Sequence, residues 1–349
     1  MSYTNGLDKP TDYFNTVLYS GNATARSITG VGFQPDWVWI KGRTTAYNNT
    51  LFDAIRGATK RLYSNGTDAE STQSVTLTSF DSDGFSLGNN ASVNSATSTF
   101  VAWNWLASNT TASNTDGSIT STVSANTTSG FSIVSYTGSG SVTSFGHGLG
   151  VAPSMVIIKN RDNTDEWTVF HKGISSGQGY IVLNSTAAAV TGSSRRFRYG
   201  DDSDGKIPDS SKVYLGTASG VNTSGEDYIA YCFAEKKGFS KFGSYTGNGN
   251  ANEPFIYTGF KPAFVIVKRT NTTGSWMMFD NKRNTFNPED KFLYSDLSNA
   301  EGTLTALDFV SNGFKFRNAD TFWNASGSTY IYMAFAEEPL VGDNPATAR

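Results

Sequence analysis

The sequence predicts an all-β protein, built as three tandem β-sandwich, jelly-roll-like repeat domains with few short helices. Three observations carry this. A glycine, a proline and an apolar run ending in lysine recur three times along the 349 residues. The apolar runs are short, rich in β-branched and aromatic residues, and bounded by Gly, Asn, Asp or Pro. Aromatics reach 13% in a chain that is only 38% hydrophobic and 16% charged, so Ser, Thr, Asn and 35 Gly must cover the surface. That is the composition of strands and turns.

Residues 1–11 are expected to form a docking segment. They show no basic start followed by an apolar run, and nowhere does the chain hold the roughly 18 apolar residues of a membrane span. A soluble chain made in the cytosol is expected. The first repeat, 12–108, turns at Tyr19-Ser20-Gly21 and enters its anchor strand through Gly32, Pro35 and Trp37-Val38-Trp39-Ile40-Lys41. Leu51, Ile55 and Ala58 recur at helical spacing, so Leu51 to Thr59 is expected to be one short helix. Phe100-Val101-Ala102-Trp103-Asn104-Trp105 closes the repeat.

A linker rich in Ser, Thr and Asn follows at 109–117, and the weak alternation of Ser118 to Val123 opens the second repeat, 118–237. Its turn is Tyr136-Thr137-Gly138, its anchor Gly150-Val151-Ala152-Pro153 through Lys159, and its closing strand Tyr228 to Glu235. The third repeat, 238–340, has Tyr245-Thr246-Gly247, Gly259 through Lys268 and Tyr330 to Glu337 in the same order, with a tail at 341–349. In each anchor the lysine follows the proline by six positions, and the prolines at 35, 153 and 262 are 118 and 109 residues apart. A solenoid repeat is about 20–50 residues long. Each copy should therefore hold its own core, with the three as touching beads, the favoured arrangement, or as a pseudo-threefold cluster.

The chemistry is sparse. A net charge of −3 with scattered Lys and Arg offers no footprint for nucleic acid. The single cysteine, Cys232, lies in an apolar strand and forms no intramolecular disulfide. His147 and His171 show no zinc-ligand spacing. No glycine-rich phosphate loop occurs, and no cofactor is expected. Asp81-Ser82-Asp83-Gly84 and Asp202-Ser203-Asp204-Gly205 resemble the opening of a calcium loop. Asp81, Asp83, Asp202 and Asp204 are thus candidate calcium ligands. A hairpin turn on Asp83-Gly84 is the competing reading, since Asn312-Gly313 stands at the same place in the third copy. Glu166, Glu226, Asp227, Glu235 and Glu337 are available for glycosidic chemistry, which needs a spatial pair. Trp37, Trp39, Trp103 and Trp105 alternate along their strands, and rings on an outward face would stack on sugars.

Asp12 to Tyr19, Gly32 to Lys41 and Leu51 to Ala58, with Gly130 to Gly138, Gly148 to Pro153, Phe233-Ala234-Glu235 and Gly238 to Gly247, resemble repeat-bearing virion structural proteins of marine tailed bacteriophages. The likeness spans nearly the whole chain. It implies a non-enzymatic protein of the virion surface, tail-fibre-like or spike-like, contributing to attachment to host glycan. A capsid decoration protein is the alternative and a polysaccharide depolymerase the second. Partners would be other virion proteins and host glycan, with a homo-oligomer such as a trimer expected and neither nucleic acid nor membrane insertion. No fibre shaft, coiled coil or collagen-like stretch accompanies the resemblance.

Overall fold

The computed structural model describes residues 7–174, 179–191, 195–197 and 206–339. It is all-β, with multiple antiparallel sheets and two four-residue helices, Ala91–Asn94 and Ser219–Asn222. One strand order recurs. In the first copy the opening strand Phe14–Ser20 pairs with the closing strand Thr99–Trp105, which pairs with the anchor Trp37–Gly42, then Thr50–Asp53 and Lys60–Tyr63. The second copy repeats this with Phe131–Thr137, Asp227–Phe233, Met155–Asn160, Thr168–His171 and Ile181–Val182. The third uses Ser240–Thr246, Thr329–Pro339, Phe260–Arg269, Trp276–Asp280 and Glu289–Tyr294. A smaller layer covers one face: Arg26–Thr29 with Gly84–Leu87 and Leu77–Asp81, Thr143–Gly146 with Lys212–Leu215, and Phe255–Tyr257 with Gly313–Phe316 and Gly302–Val310.

Each anchor strand is buried on both faces, which is why it reads as a continuous apolar run. Val38 and Ile40, Val156 and Ile158, and Val265 and Val267 point into three separate cores beneath the smaller layers. Their neighbours Trp37 and Trp39, Met155 and Ile157, and Phe264 and Ile266 all enter a single fourth core. The copies are therefore clustered around shared apolar contents, not strung as beads. Four tryptophans fill the first copy's share. Trp37, Trp39, Trp103 and Trp105 are 0, 0, 0 and 1% exposed. The Trp37 ring lies 4.4 Å from Tyr231 of the second copy, and Trp105 lies 5.8 Å from both Phe264 and Phe335 of the third. These side chains are core, which corrects their expected role as glycan platforms. A sheet covered on both faces has no outward side for period two to expose.

Polar seams close the cluster as a ring, each copy gripping the next. Asp53 of the first copy accepts from Tyr231 Oη of the second (2.7 Å), and Asp280 of the third accepts from Trp103 Nε1 of the first (3.0 Å). At the matching place in the second copy His171 donates through Nε2 to the Tyr332 carbonyl of the third, its Nδ1 accepting from Gly173. Asp53 is ion-paired with Arg56, and Asp280 with Arg283, all four side chains fully buried. Arg56 touches Glu70, which is bidentate to Arg161 across the first seam. Arg283 touches Glu301, which is bidentate to Arg43 across the last.

Residues 51–59 are not helical. Strand Thr50–Asp53 runs into a turn in which Asp53 Oδ1 accepts from the Arg56 N–H and the Asp53 carbonyl from Gly57. The local spacing resembles one helical turn because the Asp-Arg clasp spans three residues. Ser118 to Val123 contributes a strand at Ser121–Asn126, and Ala112–Asn114 in the expected linker pairs with it.

The three anchor lysines are buried and cap carbonyls. Lys41 reaches Tyr47 and Ser298, Lys159 reaches Asn160 and Asn163, and Lys268 reaches Ala187 and Gly274. Burial lowers each amine to about 8. A lysine that holds its proton less tightly when folded makes stability rise as pH climbs from about 8 towards the unfolded value of about 10.4. Cys232, whose thiol burial pushes well above its usual value, opposes this with one proton against three. The urea midpoint should accordingly rise between pH 7.5 and 9.5, roughly within that window, and a flat or falling profile would deny the lysines this role. Asp280→Ala, which takes from buried Arg283 its nearer carboxylate and from Trp103 its acceptor, is expected to cost about 3–5 kcal/mol. Asp308→Ala breaks only the pair with half-exposed Arg317 and should cost within about 1 kcal/mol. Urea titrations of both variants make that comparison.

Candidate functional site

A surface feature that departs from the ring's symmetry lies on the smaller layer of the third copy. Strand Phe255–Tyr257 is the edge of its sheet and places Ile256 in the core, with Phe255 47% and Tyr257 57% exposed on either side. Ile28 of Arg26–Thr29 and Phe145 of Thr143–Gly146 occupy the place of Ile256, facing Phe85, Val213 and Phe314 respectively. Their flanking residues are Ser27 and Thr29, and Ser144 and Gly146. Only the third copy puts rings there. Gly313 lets the two strands approach closely, since a Cβ there would come 2.1 Å from the Ile256 carbonyl oxygen, as one at Gly84 would come 2.0 Å from that of Ile28.

The loop beside the strand is fixed by Asn324. Its Oδ1 accepts from the Asn248 N–H, and its Nδ2 donates to the carbonyls of Asn250 and Glu253. Asn94 and Asn222 do the same in the other copies, holding Asn22 and Thr24, and Ser139 and Ser141. The held loop carries Glu253, whose Oε2 accepts from Asn248 and Asn250. With Asn252, Phe255, Val310 and Lys315 it lines an open groove of about 710 Å³. A flat ring, amides, a carboxylate and an amine around a shallow groove can stack on the C–H face of a sugar and bond its hydroxyls.

The residues singled out from sequence lie elsewhere. Trp37, Trp39, Trp103 and Trp105 are in the shared core. Asp81 and Asp83 sit in the hairpin of Leu77–Asp81 and Gly84–Leu87, where Asp81 accepts from Ser79 and Ser86, and Asp83 from the N–H groups of Gly30 and Gly32. Those backbone bonds hold the Asp83 carboxyl below its usual range. The pair serves the turn, and among the described residues no group of three metal-ligating side chains converges. Asp202 and Asp204 lie outside the described residues, as do 1–6 of the docking segment and the tail 341–349.

His147 is buried, with Nδ1 accepting from Leu149 and Nε2 donating to the Asp209 carbonyl, and burial lowers its pKa. The Cys232 thiol is buried. Glu235 is shared between Lys172 and Lys241, which with their charges hold its carboxyl low, and Glu337 pairs with Lys261. Glu166 pairs with Arg196, and Glu226 accepts from Asn160. A general acid of glycoside hydrolysis needs a raised carboxyl beside a second carboxylate, and Glu235 is shifted the other way.

Sequence reasoning missed Phe255, Tyr257 and Lys315. A signal existed in Phe255-Ile256-Tyr257 set against Ser27-Ile28-Thr29. If Asn324 fixes the loop as described, Asn324→Ala should lower the melting temperature, removing about 1–3 kcal/mol by leaving buried backbone groups unpaired. It should also raise hydrogen exchange at 248–253 above that of the equivalent loops.

Residues 9–339 match the model of a family described as a domain of unknown function, DUF7483. No curated protein and no solved structure matches the chain.

Proposed function

The chain belongs to the DUF7483 family, and from that premise we propose that it is a non-enzymatic protein of a phage virion surface whose third copy contacts host-surface glycan. The observation that carries this reading is the exposed Phe255 in one groove with Glu253, Asn252 and Lys315, with Tyr257 exposed two residues on along the same edge strand. Paired rings on a rigid sheet edge keep their orientation at low entropic cost. The groove's amides and charges then select among hydroxyl and acidic substituents. The closed ring supports the same reading, because it gives the groove a stiff scaffold. The resemblance to repeat-bearing virion proteins supplies the setting.

The compact ring, without a shaft among the described residues, also favours a second reading, a decoration protein of the capsid. Imaging of particles separates the two by where the ring sits. The attachment reading is tested with purified chain on immobilised host envelope polysaccharide. Wild type should bind, and Phe255→Ala with Tyr257→Ala should weaken binding about tenfold, about 1.4 kcal/mol, without altering the melting temperature. Equal binding by both proteins would remove the groove from the reading.

A further inference from the structure

The three seams are alike in backbone and unlike in side chains. The N–H of Glu70 donates to the carbonyl of Arg161, that of Glu301 to Arg43, and that of Ala189 to Thr270. The N–H groups of Arg161, Arg43 and Thr270 in turn donate to Asp227, Thr99 and Thr329. Position for position, then, the Arg56–Glu70–Arg161 and Arg283–Glu301–Arg43 clusters correspond to Ile174, Ala189 and Thr270 at the seam between the second and third copies. All three charged side chains are replaced by short neutral ones. In the first seam Arg161 extends to Ser135 Oγ at 3.5 Å. Ser135 and Ser244 are equivalent, each standing one residue before the tyrosine of the aromatic turn.

Among the described residues, that space is open in the seam between the second and third copies. A cavity of about 400 Å³ lies there, between Ile174 and Ala189 on one side and Ser244, Thr246, Thr270 and Thr329 on the other. Its size falls within the range of about 300–1,000 Å³ found for ligand sites. Gly173 forms part of the floor, where a Cβ would come 3.1 Å from Ser244. None of the described residues that line it carries a charge. We propose that this seam is a binding pocket for a neutral polyhydroxylated ligand the size of one sugar ring. Its hydroxyls bond the serine and threonine side chains, and its C–H face lies on Ile174 and Ala189. A charged ligand would lose its hydration there without an ionic partner. The assignment is independent of the Phe255 groove, which lies on the other layer of the third copy.

Saturation-transfer NMR on the full chain with methyl hexopyranosides of the gluco, galacto and manno series tests it. At least one should bind, and its glucuronide counterpart should bind about tenfold more weakly for want of an ionic partner. Ala189→Glu with Thr270→Arg rebuilds the filling found in the other seams, and Thr246→Trp blocks the rim from an exposed position. Made in a Phe255→Ala background, which takes the groove out of the measurement, each should weaken the hexoside about tenfold or more, with unfolding midpoints confirming that the variants are folded. Binding that survives both folded variants, or a wild type that engages no hexoside, overturns the pocket. Loss on Phe255→Ala alone also overturns it, while leaving the attachment reading standing.

Discussion

Everything in this chain depends on where the outer face of each large sheet, the one turned away from the smaller layer, is buried. A two-layer sandwich ordinarily leaves the outer faces of its sheets to water. Here Trp37, Trp39, Ile157, Tyr231, Phe264 and Phe335 make the outer face of each large sheet apolar, and the faces cover one another in one shared core. An exposed patch of that extent would not be soluble on a separate unit, so the copies are bound to one another by the same residues that hold each together. The Asp-Arg clasps then fix the order of the ring. Each puts a buried charge where the neighbouring copy's Tyr231 Oη or Trp103 Nε1 supplies a donor, and a misplaced neighbour would leave that charge unsatisfied.

A ring made from one chain can do what three identical subunits cannot, which is to vary one seam or one edge. The variations are concentrated on the second and third copies. His171, Ile174 and Ala189 replace the charged clasp at one seam, and Phe255 and Tyr257 replace small residues at one edge. The first change leaves out the charged groups that fill the other seams and the second adds exposed rings, and the repeated frame around them tolerates this because two intact seams and the shared core remain. The polar features that recur in all copies, the anchor lysines and Asn94, Asn222 and Asn324, are correspondingly committed to backbone carbonyls and loops.

Much of the fold was legible in the sequence. The anchor and closing strands stand where Gly, Pro and the aromatic runs put them, and Asp83-Gly84 makes a hairpin as its third-copy counterpart implied. Orientation was not legible, because alternation assigns a face only when one face is wet, and Val38 and Trp39 are equally buried on opposite sides. The helical spacing of Leu51 to Ala58 misled for a related reason: an aspartate accepting from the backbone three residues on imitates a helix start without continuing it. Asn94, Asn222 and Asn324 each precede the first aromatic of the closing strand by six positions, a pattern that comparison of the copies would have found. The Arg–Glu seams join residues far apart in sequence, such as Arg43 and Glu301, and nothing local announces them.

Equilibrium unfolding, followed at once by tryptophan fluorescence and by hydrogen exchange in the three outer cores, tests the shared core most directly. With Trp37, Trp103, Trp105 and Trp276 in common contents, all signals should fall together in a single transition, with Val38, Val156 and Val265 losing protection at the same denaturant concentration. Separate transitions for the three copies would mean that each folds on its own and that the ring is only an association of independent units.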